Sequence, residues 1–158
     1  MSAEEIEILL VEDNSADAEL TLHALRKNAL INRIHVVRDG EEALNFLFCR
    51  EPYRERAGQA LPQLILLDLK LPKVDGLSVL RTLKEDRRTR SMPVIVLTSS
   101  REDKDLIASY DLGVNSYIQK PVDFDRFRET VHTLGLYWLL VNQAPPQQTL
   151  TSLTEKSG

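Results

Sequence analysis

The sequence has few residues that would cross-link a chain or anchor it in a membrane. It holds one cysteine, Cys49, among 158 residues, so an internal disulfide is excluded. Cys49 follows the apolar run Phe46-Leu47-Phe48, and we interpret it as a small hydrophobic residue. No apolar run approaches the roughly 18 residues that a membrane-spanning helix needs, and the N-terminus is acidic where an export signal is basic. These absences predict a cytoplasmic protein without a membrane partner.

An excess of positive charge is also absent. The 20 lysines and arginines stand against 24 aspartates and glutamates, which gives a net charge of -4. Such a surface as a whole does not attract nucleic-acid phosphates or anionic lipids. The glycine-rich phosphate-binding patterns G-x-G-x-x-G and G-x-x-x-x-G-K-S/T do not occur. The sequence therefore argues against direct nucleic-acid binding and against a nucleotide-binding loop.

What is present is an alternation of short β-branched or Leu-rich runs with segments of helical period. This pattern predicts an α/β fold in which helices cover both faces of a parallel sheet. We predict strands over Ile6–Val11, Ile34–Val37, Leu64–Leu67, Val94–Leu97 and Ser116–Ile118, with helices that begin near Asn14, Asp39, Asp75, Glu102 and Asp123. One domain is expected over residues 1–141, followed by a polar, flexible tail over residues 142–158.

The last predicted helix has the strongest apolar stripe. At alternating three- and four-residue steps it carries Phe124, Phe127, Val131, Leu134, Trp138 and Val141. The run over residues 136–141 is apolar nearly all round, so one helix face cannot bury it. We therefore predict a homodimer through this helix, with the interface residues Phe127, Leu134, Tyr137, Trp138 and Val141. The alternative is that the end of the helix packs against its own fold or against the tail.

Polar residues follow four of the five predicted strands. Glu12 and Asp13 follow the first strand, Asp68 the third, Thr98 the fourth and Lys120 the fifth. In open α/β sheets ligands bind beyond the carboxyl ends of the strands. Carboxylates crowded there repel one another, and Mg²⁺ with its preference for oxygen ligands relieves that repulsion. With the cation in place, an aspartate nucleophile beside a lysine and a threonine can accept a phosphoryl group.

Each of these residues also has a purely structural interpretation. The pair Glu12 and Asp13, taken alone, fits the N-terminus of a helix equally well. Thr98 alone fits a satisfied hydroxyl at a strand end, and Lys120 alone fits a solvated charge. Asp68 is harder to explain in that way, because an aspartate that closes a wholly apolar strand needs a partner or solvent. The functional interpretation therefore depends on all of these residues occurring together at the strand ends.

Four short motifs stand at these strand ends in chain order: Val11-Glu12-Asp13-Asn14, Leu67-Asp68-Leu69-Lys70-Leu71-Pro72 with Asp75-Gly76, Leu97-Thr98-Ser99, and Tyr117-Ile118-Gln119-Lys120-Pro121. On these motifs the chain resembles the receiver domain of response regulators, from about Glu5 to Leu139. The resemblance implies a flavodoxin-like three-layer sandwich with a sheet of order 2-1-3-4-5. It also implies a single-domain signalling protein that takes a phosphoryl group from a histidine kinase and assists only its own phosphorylation and dephosphorylation.

The resemblance assigns a metal site and a phosphoacceptor. Asp68 is implied as the residue that is phosphorylated. Mg²⁺, or Mn²⁺ in its place, is expected on Asp13, Asp68 and the backbone carbonyl of Lys70. Glu12 is expected to act on the metal through a bound water.

The resemblance also assigns a switch. Lys120 and Thr98 are implied to stabilise the phosphoryl group. Thr98 and Tyr117 are implied to move inward together on phosphorylation. The Lys120–Pro121 peptide bond is expected to be cis, as in the family.

A narrower resemblance concerns the partner. The long connection from Arg50 to Pro62, the run that follows Asp68 and the apolar last helix are most similar to regulators that partner bacterial and cyanobacterial phytochrome kinases. We therefore expect a phytochrome-type histidine kinase and a downstream protein whose identity the sequence does not give. Lys70, two residues beyond the acceptor, leaves the rate of dephosphorylation unpredicted.

Three other functions are weighed against this interpretation. A receiver-like scaffold that is never phosphorylated has typically lost an acidic or lysine position, whereas all are present here. A Mg²⁺-dependent phosphatase of the haloacid dehalogenase type has an acid two residues after its nucleophile, where this chain has Lys70. A transcription factor needs a second helical domain, and only one helix and a tail follow the fifth strand.

Overall fold

The computed structural model describes residues 7–27, 33–58, 61–99 and 116–136. In this part of the chain five parallel strands form one sheet of order β2-β1-β3-β4-β5: β1 Glu7–Val11, β2 Arg33–Val37, β3 Leu64–Asp68, β4 Val94–Thr98 and β5 Tyr117–Gln119. The described helices are α1 Ser15–Leu25, α2 Gly40–Leu47, α3 Gly76–Glu85 and α4 Phe124–Thr133, with one 3₁₀ turn at Arg54–Arg56. The predicted flavodoxin-like α/β fold and its strand order are confirmed.

The sheet is buried on both faces, which explains its apolar strands. Side chains that alternate along the strands feed two separate cores. Ile8, Leu10 and Leu66 pack with α1 and α4, while Leu9 and Leu67 pack with α2 and α3. All five residues of β3 are buried, so the prediction that this strand is central is confirmed.

The four described helices all begin at a side-chain cap. The residues before them are Asn14, Asp39, Asp75 and Asp123, and each side-chain oxygen accepts a backbone N–H three residues on, at 2.7 to 2.9 Å. Such caps satisfy backbone donors that the first helical turn leaves without a partner. Since each cap closely follows a strand, the first turn of every described helix lies at the sheet edge where the polar residues were predicted.

The predicted long last helix is wrong beyond Thr133. Gly135 has a φ of +76°. Its N–H donates to the carbonyl of His132 at 3.0 Å, and the N–H of Leu136 donates to the carbonyl of Val131 at 2.9 Å. This pair of hydrogen bonds is the Schellman ending, in which a glycine adopts the left-handed conformation. The sequence analysis overlooked Gly135 as a helix stop, so the apolar stripe does not continue on one helix.

The predicted dimer interface is wrong at Phe127. This ring is fully buried in the core between α4 and the sheet, and Leu134 packs against the same core. These two residues face their own fold because α4 must cover the apolar face of β4 and β5. The remaining interface residues, Tyr137, Trp138 and Val141, lie outside the described residues.

Other boundaries differ by small steps. The fifth strand is Tyr117–Gln119, where Ser116–Ile118 was predicted, and β2 begins one residue earlier than predicted. The helix predicted over Glu102–Leu112 and the predicted domain boundary at residue 141 fall outside the described residues. No helix in the described ranges is long and apolar enough to cross a membrane.

The long connection between α2 and β3 folds back on the free edge of the sheet. The ring of His35 on β2 stacks on Phe46 at 4.3 Å, and Tyr53 meets Phe46 edge-on at 5.1 Å. The guanidinium of Arg56 lies 3.7 Å from the centre of the Phe46 ring. The hydroxyl of Tyr53 donates to Glu42 at 2.7 Å. We call these five residues the edge cluster.

Candidate functional site

Carboxylates from two neighbouring strands meet at the carboxyl edge of the sheet. Glu12, Asp13 and Asp68 each offer one oxygen, and these oxygens lie within 4.8 Å of one another. Glu12 and Asp68 are buried, whereas Asp13 is exposed. The parallel register pairs Val11 with Leu67, so the residues that follow them come together although 56 positions separate them. The sequence analysis predicted this trio, and the structure places it as predicted.

Lys120 lies in the middle of these carboxylates. Its Nζ atom is 3.2 Å from Glu12 Oε1, 3.1 Å from Asp68 Oδ2 and 3.0 Å from Asp17 Oδ2. An ammonium group has three N–H donors, and three carboxylates are available to accept them. The side chain is 13% exposed, so water contributes little to its solvation. We call Glu12, Asp13, Asp17, Asp68 and Lys120 the acidic pocket.

The backbone at the end of β5 directs Lys120 to this position. The N–H of Lys120 donates to the carbonyl of Thr98 at 2.8 Å. This bond extends the ladder between β4 and β5 by one residue beyond β5. The peptide bond between Lys120 and Pro121 is cis, as expected.

Asp17 is the residue that the sequence analysis missed. The sequence predicts no role for it, although an acid in the first turn of α1 is favoured by the helix dipole. The structure places its carboxylate on the ammonium of Lys120. The available signal was only its position, because the first turn of α1 directly follows β1 and so lies at the same edge of the sheet.

The electrostatics of the pocket reflect an excess of negative charge. Burial, a hydrogen bond with Asp68 and the charge of Asp68 raise the pKa of Glu12 to about 7. Burial alone lowers the pKa of Lys120, but the hydrogen bond with Asp17 and the charge of Asp68 raise it above its ordinary value overall. The carboxylates therefore keep the ammonium of Lys120 in its charged form. This donor set of crowded oxygens fits a hard divalent cation.

Close packing holds the backbone on either side of Asp68. A Cβ at Gly76 would lie 2.5 Å from the carbonyl oxygen of Asp68, so only glycine lets the start of α3 approach the end of β3 this closely. The N–H of Gly76 donates to the carbonyl of Leu69 at 3.0 Å. The N–H of Lys70 donates to Asp68 Oδ1 at 3.2 Å, while the Lys70 side chain is exposed. Ligation by the Lys70 carbonyl stays a prediction.

Thr98 and Tyr117 occupy neighbouring strands beside the pocket. Thr98 is fully buried, and its Oγ1 has no hydrogen-bond partner among the residues described here. A buried hydroxyl without a partner is uncommon, and it agrees with a residue whose partner is a ligand. Tyr117 is half-buried and packs against the α2 and α3 side of the sheet, and burial raises its pKa. A switch requires a second position of both side chains, so it stays a prediction.

Comparison with protein families identifies the family of the chain. Residues 8–132 match the model of the response regulator receiver domain. The chain belongs to this family. Receiver domains bind Mg²⁺, and the trio of Glu12, Asp13 and Asp68 can hold such an ion.

Two curated relatives cover nearly all of the chain. It is 45% identical over 138 residues to "Probable methanogenesis regulatory protein FilR2" of Methanothrix harundinacea (strain 6Ac), over 87% of this chain and 86% of that protein. It is 39% identical over 132 residues to "Response regulator Rcp1" of Synechocystis sp. (strain ATCC 27184 / PCC 6803 / Kazusa), over 84% of this chain and 88% of that protein.

Three solved structures are similar to the whole fold. The bacteriophytochrome response regulator AtBRR has a TM-score of 0.81 and 52% identity, over 88% of this chain and 99% of that chain. The phosphorylated cyanobacterial phytochrome response regulator RcpA has a TM-score of 0.70 and 39% identity, over 90% of this chain and 99% of that chain. The Mn²⁺-bound form of Rcp1 has a TM-score of 0.69 and 37% identity, over 89% of this chain and 99% of that chain.

Proposed function

We propose that this protein is a single-domain response regulator that accepts a phosphoryl group from a histidine kinase on Asp68. The observation that carries the proposal is the ammonium of Lys120, 3.1 Å from Asp68 Oδ2 and surrounded by acidic side chains. A lone aspartate at a strand end would need only solvent or one partner. Here the acceptor carboxylate, a fixed cation and a metal-binding trio coincide, which suits phosphoryl transfer.

The chemistry assigned to the residues is a displacement at phosphorus. An oxygen of the Asp68 carboxylate attacks the phosphorus of a phosphohistidine, the P–N bond breaks as the O–P bond forms, and the imidazole leaves. Lys120 neutralises charge on the transferred oxygens, and the buried hydroxyl of Thr98 donates a hydrogen bond to them. A Mg²⁺ ion held by Asp13, Asp68 and the Lys70 carbonyl supplies further charge neutralisation when bound.

Glu12 completes this arrangement in the proposal. It is fully buried, so its carboxylate cannot exchange its protein partners for bulk water. It accepts from the N–H of Asn14 at 3.2 Å and from Lys120, which fixes its orientation. We assign it a contact with the metal through bound water. The phosphorylated RcpA and the Mn²⁺-bound Rcp1 support the phosphoryl and metal assignments by similarity.

The partner that we propose is a phytochrome-type histidine kinase. The support is the similarity to bacteriophytochrome and cyanobacterial phytochrome response regulators over nearly the whole described fold. Inward movement of Thr98 and Tyr117 would bias the face formed by β5 and α4 toward a downstream protein. A homodimer also stays a prediction for Tyr137, Trp138 and Val141, the predicted interface residues outside the described ranges. Sedimentation that gives a monomer at high concentration, with and without a phosphoryl analogue, would contradict it.

The acceptor assignment is tested by intact-mass analysis after treatment with acetyl phosphate and Mg²⁺. We expect the wild type to gain one phosphoryl group and Asp68→Asn to gain none, because an amide is a far weaker nucleophile than a carboxylate. Asp125→Asn, at an exposed position in the first turn of α4, is the matched control and should behave as the wild type. Chelation of Mg²⁺ should suppress the gain.

Two outcomes would contradict the proposal. Equal incorporation in the wild type and in Asp68→Asn would refute the acceptor assignment. Absence of incorporation in the wild type, both with acetyl phosphate and with a phosphorylated phytochrome-type kinase, would favour a scaffold that is not phosphorylated.

A further inference from the structure

The acidic pocket contains one carboxylate more than the metal-binding trio. Asp17 Oδ2 lies 3.0 Å from Lys120 Nζ, which is the shortest of the contacts that this ammonium makes. Among the described residues, the oxygens that gather within 4.8 Å belong to Glu12, Asp13 and Asp68, and Asp17 is not one of them. Asp17 therefore contacts the cationic side chain without belonging to the set that fits a divalent ion.

The other two partners of Lys120, Glu12 and Asp68, would also be ligands of a divalent cation. Glu12 and Asp68 belong to the trio, and both also accept from the ammonium of Lys120. A divalent ion on the trio would repel this ammonium and would compete with it for the same oxygens. Phosphoryl transfer as proposed above requires both positive charges at once. The pocket therefore needs a partner for Lys120 that the divalent ion does not use.

The fold holds Asp17 in the place where such a partner is useful. The N–H of Asp17 donates to the side chain of Asn14 at 2.9 Å, and the N–H of Asn14 donates to Glu12 Oε2 at 3.2 Å. These two bonds connect the first turn of α1 to the end of β1. The Asp17 side chain is 34% exposed, whereas those of Glu12 and Asp68 are 0% and 4% exposed. Asp17 thus holds the ammonium from the solvent side of the pocket.

We propose that Asp17 is a positioning residue that keeps the ammonium of Lys120 in the pocket when a divalent cation takes the oxygens of Glu12 and Asp68 that now accept from that ammonium. This inference rests on the proposed function, since it concerns the metal site of the same pocket. Asp17 contacts neither the transferred group nor the metal in this proposal. Its effect on metal binding passes through Lys120.

The test is a double-mutant cycle with Mn²⁺ affinity as the readout. Calorimetry would compare the wild type, Asp17→Asn, Lys120→Met and the double variant, all without phosphoryl donor. We expect Asp17→Asn to weaken Mn²⁺ binding about three- to tenfold when Lys120 is present, because the released ammonium then competes for Glu12 and Asp68. In the Lys120→Met background the same substitution should have at most a third of that effect.

Two results would overturn the inference. An equal loss of affinity in both backgrounds would mean that Asp17 acts on the cation through its own charge. An unchanged affinity in Asp17→Asn would mean that Lys120 does not need this partner. If the wild type bound no Mn²⁺ at all, the proposed metal site itself would be wrong, so failure of the function and failure of this inference are distinguishable.

Three further variants separate positioning from simple loss of charge or of fold. Glu19→Gln removes a carboxylate from an exposed position on the same helix and should leave Mn²⁺ affinity unchanged. Asp17→Glu keeps the charge within reach of Lys120 and should restore most of the affinity. Asp17→Ser replaces Asp17→Asn in the cycle if thermal unfolding shows that the asparagine variant is not folded.

Discussion

The acidic pocket and the edge cluster both contain charged side chains, but they differ in how those charges are balanced. In the edge cluster Tyr53 has its acceptor on Glu42, and Arg56 lies on the Phe46 ring and within 3.6 Å of Glu7. In the acidic pocket three carboxylates share one ammonium, and the carboxylate of Asp13 lies beside two of them. Among the described residues the Nε of Arg56 is a buried donor without a hydrogen-bond partner, but each charged group of the edge cluster has a partner of opposite charge or a polar partner within the protein. The pocket instead has an excess of negative charge that a cationic ligand can offset.

The titrating groups of the two regions also differ, in how they respond to pH near 7. Burial and the charge of Arg56 lower the pKa of His35, while burial and the hydrogen bond with Glu42 raise the pKa of Tyr53 to about 12. Both rings are therefore neutral near pH 7, and small pH changes leave the edge cluster unaltered. Glu12, with a pKa of about 7, changes its charge in that range. Proton and cation occupancy of the pocket thus respond to conditions that leave the edge cluster unchanged.

The largest effect is expected for Phe46→Ala, which tests whether the edge cluster serves stability. Phe46 is 1% exposed, and His35, Tyr53 and Arg56 all pack on its ring. Its truncation to alanine leaves a cavity and removes the packing surface of these three side chains. We expect the free energy of unfolding in urea to fall by about 3–5 kcal/mol. Leu20→Ala, at a 52% exposed position, is the control and should change it by less than about 0.5 kcal/mol.

Phe46→Ala should separate the two regions. Where the variant is folded, it should bind Mn²⁺ as tightly as the wild type, because no residue of the edge cluster belongs to the pocket. A loss of Mn²⁺ affinity in the folded variant would show that the two regions are coupled and would contradict the contrast drawn here.

An intermediate effect is expected from the titration of Glu12. Its folded pKa of about 7 lies above the ordinary value of 4.5, so the folded state binds more protons than the unfolded state between these values. The contribution to stability is therefore complete below about pH 4.5 and is lost as pH rises through 7. In metal-free protein we expect the unfolding free energy to fall by about 1–3 kcal/mol between pH 5 and 8 for this reason.

The comparison is with Glu12→Gln, which cannot titrate at this position and should lack this part of the pH slope. Glu19→Gln should retain it. Mg²⁺ should stabilise the wild type more at pH 8 than at pH 6, because the cation needs the deprotonated carboxylate. The same slope in the wild type and Glu12→Gln would assign the pH dependence to other groups.

The smallest effect is expected for Tyr53→Phe. This change removes the donor to Glu42 Oε2, while Glu42 Oε1 still accepts from the N–H of Arg38 at 3.0 Å. Because the site is partly open to water, we expect a loss of about 1 kcal/mol in urea unfolding. Arg54→Ala, which removes an ion pair whose partners are 77% and 73% exposed, is the matched control with a smaller change. A loss above about 3 kcal/mol would show that the hydroxyl organises the whole connection.

Much of the fold and the site was predictable because it depends on local rules. Strand β3 was identified from an unbroken apolar run that ends in a carboxylate, and its burial on both faces follows from that composition. Four helix starts were identified from capping side chains. Glu12, Asp13, Asp68 and Lys120 were predicted to meet because parallel strands present their carboxyl ends at one edge.

The errors arose where a local pattern had to be weighed against the rest of the chain. The apolar stripe after Asp123 was extended through Gly135, although a glycine there can end the helix in the left-handed conformation. Phe127 was assigned to a dimer interface, since the stripe alone does not reveal that the face of the sheet absorbs it. Asp17 was missed because its position in the first turn of α1 does not reveal which side chain its carboxylate reaches.

The sequence by itself determined the kind of fold, the strand that carries the acceptor and the types of side chain at the carboxyl edge, because period, capping and apolar runs are local properties. Only the tertiary structure decided that Asp17 joins Glu12 and Asp68 around Lys120, and that the connection after α2 covers the sheet edge. Contacts between residues about 50 to 100 positions apart depend on register and on side-chain direction after packing. These are properties of the assembled sheet rather than of any one segment.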